Sequence, residues 1–365
     1  MGLYISDKFG RKLAFMMMIL VYVVYAFGSL ITAFVTNFSQ LIGARSFGAF
    51  GTGGDAPTGN AIVAEEARPE KRSLVLIILA VGNVVGFAVG TGIVLLFLYL
   101  HIYFMYAFIV GFTPAILVFF IRRYIDETSR YKDLKKGLKE VSEGKEIKTE
   151  FKHDISQAKR NPYIQLFSKG FRLTSVLVAI FTTIVAGIVA VSLIYFTIYF
   201  IDVKHLPLVT TVSFEFISYA LAGIGYVYTG LVGNRIGRKN IILINLVVAG
   251  LLMICVLFSF VPSVLLIFYV LFITFHYSQW AAWPFYVAET YPTRMRGTAS
   301  NYAYAFQWVG NVVFATALLG LLTLTGFNWG LSLTAIVIIP LFVALAIVYP
   351  LKKSSPTAEL EENAI

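Results

Sequence analysis

Cysteine is nearly absent from this chain and histidine is sparse: Cys255 stands alone, and His101, His153, His205 and His276 are scattered. A lone thiol excludes an internal disulfide framework and a thiolate metal site, and four histidines without ligand spacing offer no metal centre. The chain has no G-x4-G-K-S/T phosphate loop, which argues against ATP-driven work, and nothing in it points to an enzyme or a cofactor. Charge is scarce too. Only 13% of the 365 residues are charged, about half the share of a soluble domain. The alternating pattern of a lipid-facing barrel strand is also missing.

What fills the chain is apolar: 58% of it is hydrophobic, and its mean hydropathy is +0.80. Runs of about 20 apolar residues recur, the length an α-helix needs to cross a bilayer. In hydrocarbon each backbone N–H must be satisfied within its own segment, so such runs are helices. Ten spans are expected, at roughly 13–36, 38–64, 74–98, 102–121, 173–200, 208–232, 240–261, 263–288, 298–323 and 329–350.

The net charge of +10 reads as topology and not as a nucleic-acid footprint. Of the 29 Lys and Arg, 27 fall in loops that lie on one face if the ten spans alternate. The positive-inside rule makes that face cytoplasmic, with both ends of this chain in the cytoplasm. Residues 122–172 form the one long polar segment, with fourteen basic and eight acidic residues. Leu134, Leu138 and Val141 predict a short amphipathic helix there. The segment is either a linker near anionic lipid or a docking site for a protein partner.

A weak internal repeat runs through the chain. Asp7-Lys8-Phe9-Gly10-Arg11-Lys12 matches Asn234-Arg235-Ile236-Gly237-Arg238-Lys239, and Glu65-x6-Arg72 matches Glu289-x6-Arg296 at nearly the same offset. Two halves related this way suit a transporter with parallel repeats. The second half has two spans before its Gly-Arg-Lys loop. The first half has no room for them, so about 55 residues carrying two helices are expected to precede Met1.

These loops resemble the D-R/K-x-G-R-R/K signature of the major facilitator superfamily. Gly230 fits the glycine that precedes the signature, whereas Leu3 stands at that place in the first copy. The resemblance implies an all-α membrane protein with a major facilitator fold of two helical bundles, ten transmembrane helices being present (family helices 3–12). Residues 1–121 would be an N-terminal bundle remnant, 122–172 a cytoplasmic linker, 173–350 a six-helix bundle and 351–365 a cytoplasmic tail. The Glu-x6-Arg pairs resemble the cytoplasmic charge network of sugar porters, and the segment from Asp126 to Tyr131 resembles their P-E-S-P-R-W/Y element with both prolines lost. A latch of Asp7, Gly10, Arg11, Glu65, Arg72, Glu127, Arg130, Gly237, Arg238, Glu289 and Arg296 is implied. The bland reading of each is a solvated loop charge.

The stretch from Arg45 through Gly51, Gly53, Gly54, Asp55 and Pro57 to Arg72 is similar to the fourth helix of proton-coupled phosphate and metabolite symporters. That likeness implies Asp55 as the proton-coupling acid and Asn83 as a substrate contact. Ala56 and Trp280 depart from the phosphate pattern. Asp55 and Glu215 are the two acids well inside spans, where a carboxylate is expensive. Tyr195, Tyr199, His276, Gln279 and Trp280, with Trp283, are of the residue types that line a cavity for a small polar or ring-bearing ligand. They would equally suit packing between helices.

The reading is a secondary active transporter, carrying out proton-coupled symport of a small organic metabolite, sugar or anion across the cell membrane by alternating access. Its partners would be that substrate, a proton and the bilayer, without nucleic acid, and the chain would act as a monomer. The alternative is a transport-inactive membrane protein or truncated gene product of the same family.

Overall fold

The computed structural model describes residues 23–49, 62–63, 66, 69–112, 128–143 and 161–351. Its helices are α1 Val23–Thr32, α2 Phe38–Ala49, α3 Pro69–Tyr99, α4 Ser129–Ser142, α5 Pro162–Leu166, α6 Arg172–Asp202, α7 Leu208–Ile236, α8 Arg238–Phe258, α9 Pro262–Tyr277, α10 Trp283–Thr290, α11 Thr293–Leu324, α12 Trp329–Leu333 and α13 Ile339–Val348. No strand occurs among the described residues. Seven stretches within them are long and apolar enough to cross a membrane: Leu74–Tyr99, Arg172–Asp202, Leu208–Ile236, Arg238–Phe258, Pro262–Thr290, Arg294–Leu324 and Trp329–Val348. Large apolar side chains such as Ile78, Ile224, Val312 and Leu324 lie on the outside, where lipid replaces a soluble protein's water.

Two of these spans are interrupted, and proline explains both. Between α9 and α10 a 3-10 turn, Ser278–Ala281, replaces the α-helix. Pro284 lies at the start of α10, lacks an N–H and would drive its ring into the carbonyl of Trp280 in a regular helix. Pro340 opens α13 in the same way, and a π-helical turn, Thr334–Ile338, takes up the slack before it. The sequence predicts single spans at 263–288 and 329–350; the structure has one span at each place, Pro262–Thr290 and Trp329–Val348, with an irregular turn before its proline.

Small residues set how closely the helices approach. A Cβ on Gly310 of α11 would stand 2.1 Å from the carbonyl oxygen of Thr183 on α6. One turn along, a Cβ on Gly187 would collide with Phe314 at 2.3 Å. The two contacts advance together along the chain, so α6 and α11 run parallel. Helices α3 and α7 meet antiparallel: Phe216 fills the space beside Gly92, Val84 packs near Gly223, and Ile77 fills the space beside Gly230.

The polar segment contributes two described helices, α4 and the short α5, and the first turn of α4 is held from a distance. Glu66 accepts hydrogen bonds from the Ser129 backbone N–H and from its hydroxyl, the latter at 2.8 Å. A carboxylate at a helix N-terminus satisfies donors that have no partner within the helix. Tyr131 of α4 is buried, while Val141 is exposed.

The α6–α11 crossing yields a paired prediction. Gly310→Leu forces a side chain into backbone that cannot move aside and should destabilise the protein by about 3 kcal/mol or more. Gly320→Ala on the same helix meets nothing within 4 Å and should change stability by less than about 0.5 kcal/mol. Thermal unfolding of the two purified variants in detergent checks both; equal stability of the two would contradict the crossing.

Candidate functional site

The break between α9 and α10 collects polar side chains in the interior. Asn245 of α8 donates to Thr229 of α7 at 2.8 Å and to the Ser278 hydroxyl at 3.0 Å, which ties three helices at the interruption. Ser278 in turn donates to the Phe275 carbonyl. The adjacent Gln279 is fully buried, and neither its amide oxygen nor its nitrogen has a hydrogen-bond partner. An amide left unsatisfied in an apolar interior costs on the order of 1–3 kcal/mol, so this group awaits something polar.

A very small cleft, about 10 Å³ and so roughly the room of one water, opens beside the break, lined by Thr182, Trp280, Trp283, Ser300 and Tyr304 among others. The Trp283 indole N–H donates to Thr182 at 2.8 Å, and its ring packs on Phe181 and stacks on Tyr286. Trp280 faces Tyr304 at 6.3 Å between ring centroids. The buried Ser300 hydroxyl has no hydrogen-bond partner. Its walls are mainly aromatic and apolar, with Thr182, Ser300 and Tyr304 the residues that carry hydroxyls.

Other residues singled out in the sequence fall elsewhere. His276 is fully buried, with its ring stacked on Phe272 at 5.5 Å and the Val185 backbone within electrostatic reach. Tyr195 donates to the Ala315 carbonyl at 2.9 Å and so bridges α6 to α11. Tyr199 is buried among Phe196, Phe200 and Trp329. Asn83 lies on an exposed part of α3. The break thus brings Gln279 and Trp280 together with Trp283, and leaves Tyr195 and Tyr199 in helix packing. Asp7, Gly10, Arg11, Asp55, Glu65 and Glu127, and the side chains of Arg72 and Arg130, lie outside the described residues.

One end of the bundle holds a buried ion cluster. Helices α7 and α8 are joined by Gly237 alone, at φ +91°, a backbone state that residues with a Cβ rarely adopt. That turn aims Arg238 inward. Arg238 binds Glu289 through three contacts of 2.8–2.9 Å, and neither side chain has any exposure. Arg296, equally buried, donates to the Ala288 carbonyl at 2.8 Å. Nearby, Arg294 donates to Gln165 of α5, while Ser175 links the Leu166 carbonyl to the Tyr291 hydroxyl. Burial raises the Tyr291 phenol above its ordinary pKa, against the lowering effect of the Ser175 bond.

Lysines close two helix ends. Lys239 donates to the carbonyls of Tyr349 and Leu351 beyond α13. At the other end of α8, Lys204 donates to Leu257 and Ser259 and sits 4.2 Å from the Phe260 ring centroid. Burial lowers its pKa.

Sequence reasoning did not single out Thr182, Asn245, Ser300 or Tyr304. Their signal is a polar side chain within an apolar run, and it is weak because most such residues bond back to their own helix, as Ser192 and Ser218 do.

Comparison with known proteins agrees with this architecture. The family profile described as Major Facilitator Superfamily matches residues 2–278 and 209–364. The chain is 24% identical over 361 residues to the "Putative niacin/nicotinamide transporter NiaP" of Bacillus subtilis (strain 168), covering 98% of this chain and 83% of that protein. It is 21% identical over 322 residues to the "Probable 4-methylmuconolactone transporter" of Cupriavidus pinatubonensis, covering 87% and 69%. Among solved structures it superposes on the proton:xylose symporter XylE bound to 6-bromo-6-deoxy-D-glucose with a TM-score of 0.75, at 17% identity over 99% of this chain and 85% of that one. The human organic anion transporter MFSD10 (TETRAN) gives 0.65 at 13% identity, covering 95% and 79%.

The ion cluster lends itself to a double-mutant cycle. Arg238→Met alone strands a buried carboxylate and should lower stability by about 3–5 kcal/mol. Arg238→Met with Glu289→Leu removes both charges and should recover most of that loss. Additive losses in detergent unfolding would mean that the two side chains do not act as a buried pair.

Proposed function

Since the chain belongs to the major facilitator superfamily, we propose that it is a secondary active transporter moving a small ring-bearing organic metabolite together with a proton. Members of this family are membrane transporters and not enzymes. Substrate would bind near the interrupted α9–α10 span, and the two bundles would rock to expose it alternately to either side.

The observation that carries this reading is the fully buried, unpartnered Gln279 amide at the helix break, next to the Trp280–Trp283–Tyr304 cleft. Irregular backbone at membrane depth is tolerated where it lines a cavity, and a buried amide discriminates strongly for a ligand that completes its hydrogen bonds. Niacin, nicotinamide and 4-methylmuconolactone, in the names of the relatives, are small ring compounds that bear polar groups. A stacking surface of indole and phenol with one amide suits that class better than it suits an inorganic anion.

Proton coupling rests on Asp55. A carboxylate well inside a span is expensive and functional by default. Arg45, ten residues before it in sequence, lies over the Phe108 ring at 5.2 Å, and a structural role and a part in proton transfer are both open to it. Arg238, Glu289 and Arg296 form the latch of one half. Asp7, Gly10, Arg11, Glu65 and Arg72, with Glu127 and Arg130, supply that of the other. With the basic loops inside, both ends of this chain face the cytoplasm, and the transporter works in the cell membrane as a monomer.

Uptake in proteoliposomes tests the reading. Ring-bearing acids, amides and lactones should accumulate when an inward proton gradient is imposed, and sugars should not. Gln279→Ala should raise the half-saturating concentration about tenfold, as loss of one hydrogen bond of about 1.4 kcal/mol would. Asp55→Asn should lose gradient-driven accumulation and keep counterflow exchange. Uptake of every compound at the rate of empty vesicles would overturn the proposal.

A further inference from the structure

Glu215 is the one acid in the interior of a described span that neither the cleft nor the ion cluster uses, Asp202 being the last residue of α6. It lies seven residues into α7, about 10 Å along the helix axis. Its carboxylate accepts a hydrogen bond from the Thr197 hydroxyl of α6. No ion pair joins it to a Lys, Arg or His among the described residues. Glu215 is half-buried, and one neutral donor offsets only part of what an anion loses when it leaves water.

The groups facing it are neutral or already engaged. Tyr219, one turn on, and Tyr269 of α9 are both buried. Tyr277 of α9 and Phe87 of α3 complete an aromatic wall with Tyr219, at 5.6–6.3 Å between ring centroids. Helix α3 offers no titratable side chain between Leu74 and Leu98. The basic residues of α8, Arg238 and Lys239, sit at its far end. Asp202 is the last residue of α6, Lys204 and His205 follow it, and the Lys204 ammonium is held by the Leu257 and Ser259 carbonyls.

The next residue, Phe216, fills the space beside Gly92, where a Cβ would stand 2.9 Å from the ring. Glu215 therefore sits beside the seam at which a helix of the first bundle meets one of the second. Rocking about that seam changes the water that reaches the carboxyl. We infer that Glu215 is a second proton-binding site, protonated while the α3–α7 seam is closed beside it and releasing its proton to water when the seam opens. Its part in transport rests on the proton-coupled reading above; its proton binding does not.

Infrared difference spectra of the full chain in lipid vesicles, recorded across a pH change, test this directly. The wild type should show the C=O band of a protonated carboxyl that comes and goes with pH. Glu215→Gln keeps an oxygen for Thr197, so it should preserve the fold, lose the band, keep substrate exchange and lose gradient-driven accumulation. Asp55→Asn should retain the Glu215 band. An identical band in wild type and Glu215→Gln overturns the inference, as does unchanged gradient-driven accumulation in that variant while wild type depends on the gradient. Should Glu215→Gln fail to fold, Glu215→Asp draws the carboxyl back from Thr197 and must shift the band; an unmoved band again overturns it. A wild type whose accumulation ignores the gradient defeats the coupled-transport reading alone, and the band still decides whether Glu215 binds a proton.

Discussion

Everything in this molecule answers to one constraint: inside hydrocarbon, a backbone carbonyl or N–H without a partner has no water to turn to. Long helices meet it over most of the chain, and the places where they stop carry the chemistry. Lys204 and Lys239 supply donors to carbonyls at the ends of neighbouring helices. Ser278, Thr229 and Asn245 knit the α9–α10 interruption to α7 and α8. Gly237 removes the problem by linking two helices through a single residue.

The buried charges obey the same logic more severely. Arg238, Glu289 and Arg296 are all shut away from solvent, and such ions are tolerable only when their hydrogen bonds are directed well. Helix α10 connects them to the candidate site. It runs only eight residues, from Trp283 at the cleft to Thr290 just past Glu289, about 12 Å. It thus forms a short strut with a cleft-lining aromatic at one end and a clamped carboxylate at the other.

Much of the fold was legible in the sequence because the signals behind it are local. Apolar length and the positions of Gly, Arg and Lys locate α6, α7, α8 and α11 to within a few residues. The single-glycine turn at Gly237 followed from its motif. The latch motifs grouped Arg238, Glu289 and Arg296 without saying which of them pair; three-dimensional packing gives Glu289 a bidentate bond to Arg238, 51 residues away. Helix breaks were missed because proline early in a helix and proline within one look alike until the register is known. At the site, Gln279 and Trp280 stood out by residue type, whereas Thr182 and Ser300 matter only through where α6 and α11 cross α10.

The α3–α7 seam has a mechanical consequence. Its two knobs, Ile77 against Gly230 and Phe216 against Gly92, lie at opposite ends of an antiparallel pair, with the lighter Val84–Gly223 contact between them. They are separated by fifteen residues on α3, about 22 Å. Sliding one helix along the other would lift both knobs from their seats at once, and the next seat is a full turn, about 5.4 Å, away. Pivoting about the middle contact lifts one and presses the other home. The seam therefore resists translation and yields to tilt, which makes it an axle with a stop at each end.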